Sequence, residues 1–335
     1  MNLPPTDSIR VPAASLSELS TSLFVSAGLS RLDAERITSL LIDCDLRGVL
    51  SHGTLQISGY VSHFLGGQLN PAPCLRVSGE DSATALVDGD GGLGHLAAYR
   101  ATELAIARAR ASGVGTAATR NHGHYGAAGS YTRMAAGHGC VGFSVSGHTM
   151  GSFRLDRPTW NPFGNPPMSF AFPCGDEAPL VLDMGTSFFE PEHFPALFGQ
   201  APAAFFKSIG LVAVANLLSG VMTGMMLPQF QPGNRQYAAA GYGAFVAAVD
   251  IGRFVPLKAF VAEVDRTMRE VHALPPLPGY ARYDLPGGLE REREHDWARD
   301  GIPLGREHRK GLERIAAELG IPVPWQCGAS VASQK

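Results

Sequence analysis

The chain has 335 residues, a length that suits two closely packed domains rather than one small core. Its formal net charge is −3, and no run of lysine and arginine is dense enough for a nucleic-acid-binding surface, so nucleic acid is excluded as an expected partner. Only 17% of the residues are charged and 40 are glycine, which excludes a disordered scaffold and indicates a compact enzyme or an oligomer with buried surface.

The first 80 residues predict three helices. Ser15, with Glu18 in the capping-box position, is expected to begin a helix that Gly28 ends. Apolar residues then recur at helical spacing over 33–47, and an amphipathic stretch over 55–65 is ended by a glycine pair. This part of the chain is therefore predicted to be helical.

Strands and helices alternate from residue 83 onward. A strand and a glycine turn over 83–94 precede a long helix that ends at Gly113, and a strand over 114–120 leads into a glycine-rich loop and a helix over 130–139. Further strands are predicted over 140–147, 169–173, 179–187 and 243–251, with one more helix over 257–274. The pattern predicts an α/β protein.

Cellular location is indicated by the amino terminus, the cysteines and one apolar run. The first 15 residues lack the charged-then-apolar order of a signal peptide, and the five cysteines are widely spaced without a CxxC pair, so we expect a cytoplasmic protein with reduced thiols. The apolar run over 209–227 approaches the length of a membrane span, but Asn216 interrupts it and no basic flank anchors it. It is predicted to be a buried core helix, so no membrane partner is expected.

The tripeptide Ser51-His52-Gly53 follows the second predicted helix. A histidine at a helix end can act as a general acid, and the neighbouring hydroxyl can orient it or bind a substrate oxygen. The alternative is a capping serine beside a solvent-facing histidine. The tripeptide alone leaves both interpretations open.

A second motif is the glycine-rich loop over 122–129, which carries His122 and His124. Two histidines two residues apart can ligate a metal or present imidazole and backbone N–H groups to an anion. No Asp, Glu or Cys stands nearby, so no metal site is predicted and the anion interpretation is favoured. A GxGxxG sequence after a strand is absent, and with it the fingerprint of a Rossmann fold.

Two further polar features interrupt the apolar body of the chain. Asp183 ends a strand and is followed by glycine and two hydroxyl residues, a pattern typical of a ligand-contact turn and equally of an ordinary cap. Lys207 is one of only four lysines and precedes the apolar run. A lysine at a helix amino terminus opposes the helix dipole, so we interpret Lys207 as a ligand of an anion.

In this order the motifs identify a known family. The chain resembles the type 2 malate/L-lactate dehydrogenase family, which also includes ureidoglycolate and sulfolactate dehydrogenases and cyclic-imine reductases. The resemblance covers about residues 16–320 and is carried by DCDLRGVLSHG (43–53), FLGGQLNP (64–71), RNHGHYGAAGSY (120–131), FGNPPMSFAFP (163–173), LDMGTS (182–187), KSIGL (207–211) and LPGGLEREREHDWARDGIPL (285–304).

The resemblance implies a fold, a cofactor and an assembly. The fold is a non-Rossmann α/β fold in which residues 1–80 and 255–335 form a helical domain from both chain ends. Residues 81–254 form a central mixed-sheet domain that binds NAD or NADP in relatives. A small-molecule substrate and a homodimer are also implied.

The resemblance further implies the site residues. His52 is expected to donate a proton to a substrate carbonyl or imine with Ser51 beside it, and His124 is expected to lie near the nicotinamide. Such a donor is needed because hydride transfer to C=O or C=N develops charge on the heteroatom. The expected substrate contacts are Arg47, Gln56 and Tyr125. The expected cofactor contacts are His148 or Thr149, Asn165, Asp183, Met184, Gly185, Thr186, Lys207, Ser208, Leu285, Pro286 and Gly287.

Four departures from the family pattern bear on chemistry. Gln56 stands where relatives typically carry an arginine suited to a substrate carboxylate, and it cannot reproduce the bidentate charged contact. Pro166 stands where relatives carry a cofactor-facing asparagine and offers neither an N–H nor an amide. The usual Lys-Gly-Tyr-Gly reads KSIG over 207–210, and the segment 188–206 is contracted.

Three functions therefore remain open from the sequence. The first is an NAD(P)-dependent oxidoreductase with a non-standard substrate. The second is a non-redox isomerase, lyase or cyclase that has lost the cofactor and uses His52 and His124 as acid and base. The third is a catalytically silent binding subunit.

Overall fold

The computed structural model describes residues 4–79, 81–148, 164–188 and 191–325. Thr149 and Cys327 lie outside the described residues. In chain order the helices and strands are β1 (Ser8–Val11), α1 (Ala13–Ser26), α2 (Arg31–Leu46), α3 (Ile57–Leu65), β2 (Arg76–Ser78), β3 (Thr84–Asp88), α4 (Gly94–Ser112), β4 (Val114–His122), α5 (Ala128–Ala136), β5 (Cys140–His148), β6 (Pro167–Phe172), β7 (Leu180–Gly185), α6 (Phe194–Gln200), α7 (Pro202–Asn216), β8 (Tyr242–Asp250), α8 (Leu257–His272), α9 (Gly288–Asp300), β9 (Ile302–Gly305) and α10 (Arg306–Glu318).

The chain divides into two compact units. Unit 1 contains residues from both chain ends, within Met1–Pro73 and Asp284–Lys335, and unit 2 is Cys74–Tyr283. Both predicted ends therefore contribute to one helical unit, but 74–80 and 255–283 belong to the sheet unit instead. Residues 255–283 belong to unit 2 because α8 is bonded to it. Asp265 of α8 accepts hydrogen bonds from the backbone N–H groups of Gly175 and Asp176 in the loop after β6.

Unit 1 is built from packed helices and one short strand pair. α1 begins after Pro12 without a side-chain cap, so the prediction that Ser15 begins this helix is wrong. Ser30 does cap α2, accepting a hydrogen bond from the Asp33 N–H at 3.1 Å. β1 pairs antiparallel with β9, which joins the two chain ends in one unit. The buried side chains of α1 and α2 include Leu16, Leu23, Phe24, Ile37 and Leu41.

Unit 2 contains a seven-stranded mixed sheet in the order β2-β3-β4-β8-β5-β6-β7. β3 and β4 are parallel, and the other neighbours are antiparallel. α4 lies so close to β4 that a Cβ on Gly115 would come within 2.0 Å of the Ala105 carbonyl oxygen, so only glycine fits there. The small side chains of this layer are buried together and include Ala97, Ala101, Ala105, Ala117, Val246 and Ala248.

The apolar run of unit 2 differs from its prediction. α7 begins at Pro202 and continues as a π-helical turn over Leu217–Val221, because the apolar sequence extends helix-compatible residues upstream of 209. Only 39% of the most apolar stretch within Pro202–Val221 is buried, so the prediction of a buried core helix is wrong. By length and composition this segment could cross a membrane, but one such helix is weak evidence. Exposed apolar side chains lie along α7, the π-helical turn and the residues just after it, namely Phe206, Val214, Leu217, Met222 and Met226.

Candidate active site

Ser51 and His52 lie in unit 1, in a short 3-10 turn over Leu50–His52 that follows α2. A second 3-10 turn over Thr54–Gln56 leads into α3. His52 is half-buried, and its Nδ1 lies 3.0 Å from the Ser51 hydroxyl. The Gln56 side-chain amide donates to the Ser51 carbonyl at 2.7 Å, so Gln56 braces the turn that carries the histidine.

A buried polar group that sequence analysis missed lies beneath this turn. Asp45 of α2 is fully buried, and its Oδ2 accepts hydrogen bonds from the Thr54 N–H at 3.0 Å and the Thr54 hydroxyl at 2.6 Å. The Thr54 hydroxyl oxygen also lies 2.9 Å from Nε2 of His308 on α10. The only sequence signal was an Asp at an inward position of an amphipathic helix.

Arg47 is held by two acidic side chains of its own unit. Its guanidinium pairs with Asp43 at 2.9 Å and with Glu294 of α9 at 2.9 Å, and the side chain is only 12% exposed. The structure therefore assigns Arg47 to the joint between α2 and α9. The expectation of a substrate contact gains no support from this arrangement.

The sheet of unit 2 gathers several predicted residues at one edge. Tyr242 lies opposite His122 on one side and His148 on the other, and Gly185 lies opposite Pro167. Because β5 and β6 are also antiparallel neighbours, the ends of β4, β5 and β7 meet the starts of β6 and β8. We call this the site edge. It comprises His122–His124, His148, Asn165–Pro167, Gly185–Ser187 and Tyr242.

The two histidines of the glycine-rich loop have different environments. His122 is fully buried, its Nδ1 donates to the Gly123 carbonyl at 2.7 Å, and its Nε2 accepts from the Thr119 hydroxyl at 2.7 Å. Burial lowers the pKa of His122 to about 4, so it is a neutral structural residue. His124 is half-buried, and its carbonyl accepts from the Gly94 N–H at 3.0 Å. His124 is therefore the less buried of the two imidazoles, at the end of the loop that the Gly94 N–H holds.

Tyr125 is a core residue. It is 1% exposed, its hydroxyl lies 3.4 Å from that of Ser144, and its carbonyl accepts a hydrogen bond from the Tyr131 hydroxyl. A side chain buried to this degree has no surface for a small molecule, so the expected substrate contact is not supported. Tyr125 instead anchors the loop that carries His124.

Tyr242 is a site-edge residue that sequence analysis did not single out. Its ring centroid lies 6.4 Å from that of His124 and 6.1 Å from that of His148, so it stands between two predicted site residues. A tyrosine that begins a strand resembles any β-former in the sequence. Only the register of β8 with β4 and β5 brings it to the histidines.

The turn after β7 is closed by the segment before β6. The Pro166 carbonyl accepts from both the N–H and the hydroxyl of Thr186, at 3.0 and 2.8 Å, and Asn165 Oδ1 accepts from the Ser187 N–H at 2.8 Å. Only the carbonyl of Pro166 is used, so the missing N–H costs this turn nothing. Gly185 lets the Asn165 amide pack closely against the strand, since a Cβ there would lie 2.5 Å from the amide and displace it.

α7 is tied to the same turn. The buried Ser208 hydroxyl donates to the Thr186 carbonyl at 3.3 Å and accepts from the Phe188 N–H at 3.1 Å, so Ser208 is a structural clamp. The neighbouring Lys207 is exposed and lies in the second turn of α7. The prediction that Lys207 lies at a helix amino terminus is therefore wrong. Its neighbour Ser208 does contact the turn after β7, where the cofactor contacts are expected.

The remaining expected cofactor contacts divide between the two units. In unit 2 Asp183 accepts from the Gly129 N–H at the start of α5, at 2.9 Å, and Met184 follows it on β7. In unit 1 Leu285 and Pro286 precede Gly287, which caps α9 with a φ of 111°. Asp183 thus fixes the helix that follows the His124 loop.

Comparisons with known proteins agree with this architecture. A family model described as malate/L-lactate dehydrogenase matches residues 11–194 and 190–313. The chain is 29% identical to a malate dehydrogenase of Pyrococcus horikoshii over 353 residues, covering 93% of this chain and 96% of that protein. The solved structure of a malate dehydrogenase from Pyrococcus horikoshii OT3 superposes with a TM-score of 0.84 at 28% identity, covering 96% of this chain and 99% of that one.

Two further relatives carry other names. A ureidoglycolate dehydrogenase (NAD(+)) of Escherichia coli O157:H7 is 25% identical over 337 residues, covering 88% of this chain and 93% of that protein. A Delta(1)-pyrroline-2-carboxylate/Delta(1)-piperideine-2-carboxylate reductase of Pseudomonas putida is 31% identical over 190 residues, covering 56% of this chain and 55% of that protein. Since the family model matches most of the chain and the fold agrees, the chain belongs to the malate/L-lactate dehydrogenase family of oxidoreductases.

Proposed function

We propose that the protein is an NAD(P)-dependent oxidoreductase that reduces a C=O or C=N bond, or oxidises the corresponding hydroxy or amino compound. The observation that carries the proposal is the site edge, where half-buried His124, Tyr242 and exposed His148 lie beside the closed turn at Thr186. The names of the relatives, which include dehydrogenases and an imine reductase, support the same chemistry.

The residues present fit a phosphate-bearing cofactor. Exposed Lys207 offers a cation beside the Thr186–Phe188 turn, and the Asn165 amide lies against Gly185. A phosphate is bound well by a lysine next to polar backbone groups. When bound, the nicotinamide supplies or accepts the hydride. The structural roles of Ser208 and Thr186 are to hold the turn, since both hydroxyls are committed to backbone groups.

We assign proton transfer to histidine side chains of the chain. His52 is the proposed donor to the substrate heteroatom, because its ring is half-buried and hydrogen-bonded through Nδ1 to Ser51. The Ser51 hydroxyl beside Nδ1 orients the ring, which is the condition for an imidazole to act as a general acid. His124 is the proposed imidazole at the site edge.

A binding and turnover experiment tests the proposed function. NADH and NADPH fluorescence are followed as protein is added, and turnover is then measured with 2-oxo acids and with cyclic imines. We expect a fluorescence change with at least one dinucleotide and turnover with at least one of the two substrate classes. Absence of both responses would reject the redox proposal.

The substrate is proposed to differ from a simple 2-oxo acid. Gln56 has no charge, and its amide is already bonded to the Ser51 carbonyl. We expect Gln56→Arg to improve kcat/KM for pyruvate or malate-type acids by about 10-fold or more, because a hydrogen bond between charged groups is worth about 1.5–3 kcal/mol. Steady-state kinetics with Gln56→Lys as a non-bidentate control would measure this, and robust wild-type activity on these acids would contradict it.

We also propose that the protein is a homodimer that covers the exposed apolar side chains of α7 and of the π-helical turn after it. Phe206 is 62% exposed and Leu217 is 49% exposed, and exposed apolar side chains gathered on one segment are typical of an interaction surface. Light scattering at micromolar concentration should give twice the chain mass. Leu217→Glu should shift the protein to monomer, whereas Leu32→Glu, at an exposed leucine of unit 1, should not.

A cytoplasmic location is part of the same proposal. Cys44, Cys74, Cys140 and Cys174 are present as thiols. Cys44 and Cys140 are buried, as structural thiols in a reducing compartment usually are. A fluorescent fusion in fractionated cells would test the location.

A further inference from the structure

The carboxyl group of buried Asp45 packs against Gly53, the residue directly after His52. A Cβ on Gly53 would lie 1.8 Å from Oδ1 and 2.4 Å from Cγ of Asp45, so the backbone after the histidine packs directly against this carboxyl group. The next residue, Thr54, gives both its N–H and its hydroxyl to Oδ2 of the same group. Both residues that follow His52 therefore rest on Asp45.

Fold stability alone does not explain this carboxyl group. Asp45 has no exposed surface, and among the described residues Oδ1 has no hydrogen-bond partner. Burying a carboxyl group costs free energy, and replacing buried ionic groups by apolar ones is often neutral or stabilising. Among the described residues, the Asp45 side chain bonds to Thr54 alone, which directly follows Ser51-His52-Gly53, so this costly buried group points to a role in positioning that turn.

His308 completes a chain of polar groups. Since the Thr54 hydroxyl donates to Asp45, its oxygen accepts from Nε2–H of His308, at 2.9 Å. Burial lowers the pKa of His308 to about 4, so the imidazole is neutral with its proton on Nε2. The histidine thus orients the hydroxyl toward Asp45 without adding charge.

We propose that Asp45 is a positioning residue for His52, which it holds through the backbone and hydroxyl of Gly53-Thr54. The inference rests on the proposed role of His52 as proton donor. It deepens that role by naming the groups that fix the imidazole: Asp45, Thr54 and His308.

The protonation state of Asp45 changes in the working range. Burial raises its pKa to about 7, against the lowering effect of the two Thr54 hydrogen bonds. Among the described residues, the titratable or charged groups nearest the Asp45 carboxyl group are His52 in the turn and His308 through Thr54. Arg293 and Glu294 of α9 lie further along, next to Gly48 and Arg47 respectively, and the one charged residue of α1, Glu18, is exposed. We therefore expect loss or gain of the Asp45 proton to change the electrostatic environment of the His52 imidazole.

Histidine NMR combined with kinetics tests the proposal. The full-length protein is labelled with ¹⁵N-histidine, and the His52 signal among the 11 histidines is assigned with His52→Gln. In wild type the His52 signal should show a second titration step near the Asp45 transition, and Asp45→Asn should remove that step. The same variant should lower kcat by about 10-fold to 100-fold through misplacement of the donor, with cofactor KM unchanged.

The matched control is Asp265→Asn. Asp265 is also a buried aspartate that accepts backbone N–H groups, but it lies on α8 in unit 2. This control should leave the His52 titration and kcat as in wild type. If Asp45→Asn does not fold, Thr54→Val should lower kcat and Thr54→Ser should restore it.

The outcomes separate this inference from the proposed function. An unchanged His52 titration together with an unchanged kcat in folded Asp45→Asn would overturn the positioning role. The same holds if Thr54→Val has wild-type kcat. If wild type turns over no substrate but its His52 signal carries the Asp45-linked step, the positioning stands and the proposed function fails.

Discussion

Replacing His52 with alanine is expected to lower turnover by about 10²–10⁴-fold, the range that a positioned general acid contributes. The charge that develops on the substrate heteroatom during hydride transfer then has no donor, and the Ser51 hydroxyl 3.0 Å from Nδ1 cannot replace it. The fold should persist, because His52 is half-buried in a 3-10 turn whose backbone is held by Asp45 and Gln56. kcat measured beside a thermal melt would separate the two effects.

The matched control for this prediction is another histidine of unit 1. His63→Ala removes an imidazole from α3 that is hydrogen-bonded to the Gln68 side chain and has no proposed part in chemistry. It should leave kcat near the wild-type value, because no step of the proposed reaction uses this imidazole. Full activity of His52→Ala on the true substrate would show that the donor is elsewhere.

Reversing the charge of Lys207 is expected to raise the Kd for NADH or NADPH by about 10-fold to 100-fold. A hydrogen bond to a charged group is worth about 1.5–3 kcal/mol, and the introduced carboxylate also repels the phosphates. Lys207 is exposed in the second turn of α7, so Lys207→Glu should shift Tm by only a few degrees. Calorimetry with each dinucleotide, and a melt of the free protein, would measure both quantities.

Lys258→Glu serves as the control for nonspecific charge effects. Lys258 is an exposed lysine of the same unit, on α8, and the same change of net charge there should leave Kd unaltered. Equal Kd values for wild type and Lys207→Glu would remove Lys207 from the cofactor residues. A lack of binding heat for both dinucleotides at millimolar concentration in wild type would instead favour the non-redox acid/base alternative.

Because of Asp45, the stability of the folded protein is expected to fall as pH rises. Burial raises its pKa in the folded state to about 7, above the ordinary value of 3.8, so the stability of the folded state falls as pH rises from 3.8 through about 7. Asp45→Asn should therefore gain more Tm relative to wild type at pH 8 than at pH 5. Melts of both proteins at the two pH values would measure this, and an equal difference at both would argue that Asp45 keeps one protonation state.

Local sequence patterns determined most helices and strands and the family. The apolar periodicity of 33–47 placed α2 within two residues of its observed bounds, and Gly113 ended α4 as expected, with a φ of 96°. Periodicity succeeds here because each helix or strand buries one face, which the spacing of apolar residues records directly. The seven motifs, being short and ordered, identified the family without any structure.

Tertiary structure decided which polar residues belong together and which are buried. Asp45, Thr54 and His308 meet although Thr54 and His308 are 254 positions apart, and Tyr242 reaches the histidines only through the register of β8. Tyr125 follows His124 in the glycine-rich loop and was therefore expected to contact the substrate, but its side chain is buried in the core. Such contacts depend on strand register and helix packing between distant segments. Local patterns in a single sequence do not show which distant residues will meet.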